Sequence, residues 1–559
     1  MSETTKYGLG ERPQSGQKPE VFSGRRSVAS TWVEVPSRDC VPTAWLYSDR
    51  IAYRSGDEVV LFISANVPRI DIRIYRDGAK RELVHEALGR EGVFQDCPAD
   101  AYMNGCRWAE SYRWPTHRHM ESGGYLVEVR DHDQPDLPGI GHHLVLIRGH
   151  GGTDDRLALV AATATWRAYN DFGGANHYRG IHPSYTQGSS PVLALDRPWC
   201  RGQVWLPEDA PRLASADRPR APRPARYEAF EYAHANGFAR NYAASGWASF
   251  ERLFVQWAEE NGYKLDIFCQ EELHEDRDIL NDYRCVVFVG HCEYWSREMR
   301  ETVHAFLDQG GNVARFAGNF LWQIRLDEAT RQQVCYKYNA RTYDPVADTK
   351  QYETLTSAWE DPLVDWPGAA TFGVNALRGI YAGGLGAMAP RAPRGFQVFA
   401  PEHWAFERTG LGYAEMFGDE HNIFSYEVDG LNYTFRDGLP EPVGDDGAPA
   451  GLRIIAMGWA TLAESGLPEH RYAHAIGATD AVLRATILEG KVDEESVARH
   501  SRGSGMIVSF RMGAGEVFTA ATCEWVNGLK GRDFYTSQIT KNVLDRFMRR
   551  AGPSAVAPV

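Results

Sequence analysis

No run in this chain approaches the roughly 18 uninterrupted apolar residues that a membrane-spanning helix requires, which excludes a spanning segment. Positive charge is scarce: 60 lysines and arginines stand against 74 aspartates and glutamates, a net charge of −14 at pH 7. That balance argues against non-specific binding to nucleic acid or to an anionic membrane. The nine cysteines are odd in number, scattered and without a CxxC pair, so neither a disulfide framework nor a zinc signature is expected. The opening residues, MSETTKYGLGERPQSGQKPE, carry no apolar core of the kind a secretory signal needs. The expectation is a cytoplasmic protein with reduced thiols. No internal repeat is visible. What remains is an ordinary globular composition, 43% hydrophobic and 24% charged over 559 residues, long enough for several domains.

Three regions follow one another. Residues 1–40 are polar and rich in Gly, Pro and Ser, and read as an N-terminal extension. Residues 41–150 alternate apolar and polar side chains in short runs, as in Asp57–Asn66 (DEVVLFISAN) and Ile70–Tyr75 (IDIRIY). Turns such as Arg76-Asp-Gly78 separate them, a texture that predicts a β-sandwich. Residues 151–559 read as an α/β domain. Strands at 157–164, 264–269, 285–290 and 312–316 alternate with helices at 247–261 and 297–308. Strands at 506–510 and 515–520 and a helix from about 537 to 550 close the chain. This alternation predicts a mostly parallel sheet with crossover helices. The Gly-, Pro- and Trp-rich stretch 326–505 has weak periodicity and is expected as an insertion that walls the site.

The segment Val286–Ser296, VVFVGHCEYWS, carries the most chemistry. An apolar run passes into His291, Cys292, Glu293 and Tyr294, and a helical segment follows at once. Open α/β sheets bind ligands beyond the carboxyl ends of their strands, where such turns sit. A second cluster, TATWRAYNDFGGANHY (163–178), follows the first strand of the α/β region. Its glycines, Gly173 and Gly174, permit backbone closed to other residues. A third polar turn, Ala317–Trp322, follows the strand after the 297–308 helix. Consecutive strand ends would therefore bring Tyr169, His291, Glu293 and Asn319 to one crevice.

Here a resemblance becomes specific. The strings TWRAYNDFGG, ALDRP (194–198), GHCEYWS (290–296), GNFLWQIR (318–325) and GEVFTAATCEWVNGL (515–529) resemble the large (beta) subunit of N,N-dimethylformamidase and its relatives. The resemblance implies a β-sandwich followed by an α/β domain similar to class I glutamine amidotransferases. It also implies a mononuclear iron(III) site, held by two tyrosines and a glutamate, that hydrolyses an amide, and a small helical partner subunit or an oligomer. Matched residue by residue, the glutamate is Glu293 and the first tyrosine Tyr169. No tyrosine stands close before Asp196-Arg197-Pro198, so the second is Tyr178 or Tyr185, with Tyr178 preferred because it lies in the glycine-rich turn. His291 and Asn319 would be the neighbouring polar groups, and Glu427, in FSYEVDG (424–430), a later acidic one.

The chemistry of that set is coherent. Phenolate and carboxylate are hard anionic donors that suit iron(III). Three protein ligands leave positions open for water and for the carbonyl of an amide, a poor electrophile that needs polarising. His291 is placed to hold the water or to protonate the departing amine, Asn319 to donate to the oxyanion, and Glu427 to act as general base. Trp166, Phe172, Trp295 and Trp322 would shape an apolar pocket for a small N-alkylated (N,N-dialkyl) amide.

Each assignment has a rival. Glu293 could cap the following helix, and Tyr169 and Tyr178 could be core aromatics. Cys292, on a strand-to-helix turn, could be a thiol nucleophile of a glutaminase-like amidohydrolase. A non-catalytic binding or assembly protein is the third class. His117, His119, His142 and His143 lie in the β region without a further partner and read as structural.

Overall fold

The computed structural model describes residues 21–22, 25–28, 31–34, 36–39, 41–149, 155–178, 190–212, 228–380, 395–425, 427–461, 480–500 and 502–549. Tyr185 lies outside the described residues, as does most of the expected extension. Within that extension, Val21–Phe22, Arg25–Val28 and Thr31–Glu34 pair as a small antiparallel sheet.

Residues 44–148 build two sheets. Ala44–Ser48, Glu58–Ala65 and Tyr112–Pro115 form one of three strands, and Ala52–Arg54, Arg69–Asp77, Arg81–Glu91, Gly123–Asp131 and Gly141–Arg148 form one of five. Alternate residues of both sheets, among them Leu46, Leu61, Ile72, Val127 and Val145, meet in one apolar core, as period-two patterning requires. The histidines here make local contacts: His143 Nε2 lies 2.8 Å from Ser48 Oγ, and the His142 ring stacks on Trp205.

A nine-stranded sheet organises the rest. In chain order its strands are β1 (Arg156–Ala161), β2 (Lys264–Cys269), β3 (Cys285–His291), β4 (Asn312–Gly318), β5 (Phe396–Val398), β6 (Met416–Phe417), β7 (Arg453–Thr461), β8 (Arg502–Met512) and β9 (Gly515–Ala520). Across the sheet they run β2-β1-β3-β4-β9-β8-β7-β5-β6. The first five are mutually parallel and the remaining pairings antiparallel. β3 is buried along its whole length, which is why it reads as a continuous apolar run rather than an alternating one.

Two elements differ from the sequence expectation. The 326–505 stretch does more than wall the site: β5, β6 and β7 lie inside it and extend the sheet. They were hard to see because β5 and β6 are only three and two residues long, too short for a period to show. The strand expected over 157–164 ends at Ala161, and the segment after it is a buried helix, Thr163–Tyr169. The helix Arg297–Asp308 is as its periodicity predicts. Ser296 caps it, accepting from the Met299 N–H, and Met299, Val303, Phe306 and Leu307 face inward at helical spacing. No helix among the described residues is long and apolar enough to cross a membrane.

Candidate functional site

Four adjacent parallel strands, β1, β3, β4 and β9, end on one edge, and each delivers polar side chains there. Register fixes two of them, because His291 pairs with Gly318 across β3 and β4 and so stands beside the Asn319 turn. Gly290, at φ +71°, bends the end of β3, and any side chain there would meet the Phe250 side chain at 2.4 Å; only glycine accepts both conditions. Thr165, on the helix after β1, accepts from the Glu293 N–H at 2.9 Å and the Tyr294 N–H at 3.3 Å. That pins the turn after β3 to the segment carrying Tyr169.

The sequence-derived residues meet. Tyr178 Oη donates to Glu293 at 2.9 Å (Oε1) and 2.8 Å (Oε2), and Tyr169 Oη to Glu293 Oε2 at 3.1 Å. Tyr294 Oη donates to Tyr178 Oη at 2.8 Å. On the other side, His291 Nε2 lies 3.3 Å from Glu293 Oε2 and 2.6 Å from Glu427 Oε2, with Asn319 Nδ2 at 3.1 Å. His291 Nδ1 faces the Ala244 carbonyl at 2.5 Å, which leaves Nε2 as the working nitrogen. Glu293 is 2% exposed, His291 1% and Asn319 1%, while Tyr178 and Glu427 at the margin of the cluster are partly exposed.

Burial pushes carboxyl groups up and imidazole down, and here the partners decide the outcome. Desolvation works against charge on His291, yet the Glu427 and Glu293 carboxylates outweigh it and raise the imidazole to about 10. Burial also works against Glu293, but His291, Lys337 and Tyr178 hold its carboxyl below the usual range. Glu427 goes the other way: burial, reinforced by Glu293, keeps it above the usual range despite His291. Burial and the neighbouring Glu293 and Tyr169 push the Tyr178 phenol well up.

Several participants carried no signal in the sequence. Lys337 is buried, with Nζ 3.2 Å from the centroid of the Tyr178 ring, a cation–π contact against the phenol. Its neighbours YKYN resemble any loop. Asp429 Oδ1 accepts from the Asn319 N–H at 2.7 Å and Oδ2 from the Phe320 N–H at 3.3 Å, while Arg315 Nη2 stands 3.1 Å from Oδ2. Asn319, Lys337 and Glu427 all have positive φ, +60°, +55° and +42°. Such strain in non-glycine residues persists only where surroundings impose it, and it gathers at functional sites.

Other expectations are corrected. Phe172 does not line the site; it packs on Trp45 at 5.0 Å and on Trp108, in a separate cluster shared with the N-terminal sheets, because the Gly173-Gly174 turn directs it there. Trp166 Nε1 donates to Glu251 Oε1 at 3.1 Å, and Trp295 packs on Phe288, Phe320 and Phe372. Trp322 alone of the four stands by Lys337, at 5.2 Å. Cys292 is buried at 1% exposure, accepts a contact from Trp295 Nε1 at 3.3 Å, and burial pushes its thiol up to about 12. The next helix begins five residues further on, at Arg297, so no helix N-terminus stabilises a thiolate there.

As a donor set, two phenol oxygens each within 3.1 Å of the Glu293 carboxylate suit a hard cation of high charge. The fit is supported by the excess of acidic groups: Glu293, Tyr169, Tyr178 and Glu427 face His291 and Lys337.

The family model described as N,N-dimethylformamidase beta subunit-like, C-terminal, matches residues 65–540, a span that includes every residue of this cluster. The chain belongs to the N,N-dimethylformamidase beta subunit-like family. No curated protein matches it. Among solved structures, the crystal structure of the human B7-H4 IgV-like domain is similar over 19% of this chain and 98% of that one, at 18% identity and a TM-score of 0.12. A likeness at that score carries no argument. In this dimethylformamidase-like chain the matched span starts at Ala65, within the N-terminal sheets, and ends in the helix Phe534–Met548.

Proposed function

We propose that the protein hydrolyses the C–N bond of a small N-alkylated amide at a mononuclear iron(III) held by Tyr169, Tyr178 and Glu293. The observation that carries this reading is the convergence of both phenol oxygens on the Glu293 carboxylate, beside the His291–Glu427 pair, in a chain whose family is defined by an amide-hydrolysing subunit. Bound there, iron(III) would supply Lewis acidity toward a carbonyl and acidify water.

The chain's own residues do the rest. Glu427, with its carboxyl held up, accepts a proton from water near neutral pH as general base. His291, charged between two carboxylates, donates from Nε2 to the departing amine nitrogen. The Asn319 amide donates to oxygen as negative charge develops on it, and Asp429 holds the Asn319 turn in its strained conformation. Burial of the cluster keeps bulk water from competing for these hydrogen bonds.

The wider reading follows the same proposal: an extension at 1–40, a β-sandwich at 41–150, and a glutaminase-like α/β catalytic domain at 151–559 elaborated by 326–505. A partner subunit or self-association fits a beta-subunit family, and a cytoplasmic setting fits the reduced thiols. The test is hydrolysis of N,N-dialkyl and N-alkyl formamides and acetamides by the purified protein before iron removal, after it, and after reloading. Activity lost and restored with iron supports the proposal; full activity after iron removal overturns it.

A further inference from the structure

Cys523 has no part in the amide chemistry, yet it lies against it. Among the described residues, one group of histidine, cysteine and acidic side chains converges: His291 Nε2, a Glu427 carboxylate oxygen and Cys523 Sγ all lie within 4.8 Å of one another. The arrangement is built by backbone. The Cys523 N–H donates to the Glu427 carbonyl at 3.2 Å, and Thr522 bridges to Val428, locking the end of β9 to the strand Val428–Gly430. Gly318 leaves the space open; a Cβ there would lie 2.3 Å from the Glu427 carbonyl oxygen and 3.1 Å from Cys523 Sγ. The three donors thus come from three separate segments, and no side chain at 318 intrudes between them.

The geometry points to a second cation site, His291–Glu427–Cys523, for a borderline-soft divalent ion of the zinc class, sharing no donor with the tyrosine set but adjoining it where His291 Nε2 lies 3.3 Å from Glu293 Oε2. One nitrogen, one carboxylate oxygen and one thiolate are the donor types zinc takes, whereas phenolates select harder ions. Bonds of about 2.0–2.3 Å place tetrahedral donors roughly 3.3–3.8 Å apart. Glu427, now 2.6 Å from His291 Nε2, backs away and Cys523 closes in, each by about 1 Å or less. Binding releases the Cys523 thiol proton and the proton on His291 Nε2 to solvent. Three protein ligands leave a fourth position for water.

The ion takes the general base and the proton donor out of use, so it inhibits; that consequence rests on the function proposed above, whereas binding itself does not. Cobalt(II) titrated into the iron-loaded protein reads the site through its thiolate-to-metal absorption in the near ultraviolet. The wild-type protein should develop that band at about one equivalent. C523S should lose it, while C292S and Y178F keep it. If C523S fails to fold, as judged by its melting curve, E427Q decides, with at least a tenfold weaker cobalt affinity expected. No band in the wild type, a band surviving in C523S or unweakened in E427Q, or a band lost in Y178F overturns the site. Zinc should slow wild-type hydrolysis of a dialkyl amide and leave the rate of C523S, relative to its own zinc-free rate, unchanged. A cobalt band without any amide hydrolysis leaves this site standing and removes the proposed function; hydrolysis that zinc does not touch, with no band, does the reverse.

Discussion

The pair of N-terminal sheets and the carboxyl edge of the nine-stranded sheet bury opposite chemistry. Between the sheets, Leu46, Leu61, Ile72, Val127 and Val145 form an apolar core free of charge; charged groups stand outside it, in exposed pairs such as Arg113–Glu58 and Arg107–Asp100 or, like Asp77, buried against Arg252 of the following region. At the strand ends, His291, Glu293, Asn319, Arg315, Asp429 and Lys337 are all buried, and three backbones there are left-handed. Buried charges cost free energy that pairing rarely returns in full, so the second region opposes folding where the first drives it. A fold tolerates such a cluster when function requires it.

Removing members of each region should separate the two. The largest effect belongs to Glu293: E293Q should abolish hydrolysis and lose iron, measured by turnover and metal content. L61A should do the opposite, costing about 2–5 kcal/mol in denaturant unfolding while kcat of the folded fraction stays at the wild-type value. N319A should lower kcat by roughly 10²–10³-fold with little change in KM, since the amide donates only to developing charge. C292A should leave kcat within a few-fold; abolition would return the thiol route to first place.

The smallest effect concerns Glu251, which accepts from the Ala162 N–H at 2.9 Å and from Trp166 Nε1. Burial raises its carboxyl to about 7, above the roughly 4.3 of an unfolded chain. The folded protein therefore keeps a proton that the unfolded chain has lost, and the associated stability is full below about pH 4.3 and declines as pH rises through about 7. E251Q should flatten that decline in unfolding curves between pH 5 and 8; an identical slope contradicts the assignment.

The same contrast explains what could be read from sequence. The parallel strands β1 and β3 were legible because both faces are buried and their residues form continuous apolar runs, whereas Asp266 interrupts β2 and Arg315 interrupts β4. Tyr169, His291, Glu293 and Asn319 were legible as strand-end residues within motifs and Tyr178 and Glu427 only through the family resemblance, and the structure brings all six together. Lys337, Asp429 and Arg315 were not legible, because their placement depends on tertiary pairing. Asp429 is joined to the Asn319 turn across 110 residues, a contact that no local period encodes. Phe172 was misread because an aromatic beside a motif looks the same whether it faces the site or the neighbouring layer.

The central claim is that Tyr169, Tyr178 and Glu293 hold iron(III). Metal analysis combined with the visible spectrum of the purified protein tests it most directly. The account predicts about one iron per chain and a tyrosinate-to-iron absorption band that weakens in Y169F and Y178F and vanishes in E293Q. A colourless, iron-free and fully active protein contradicts it.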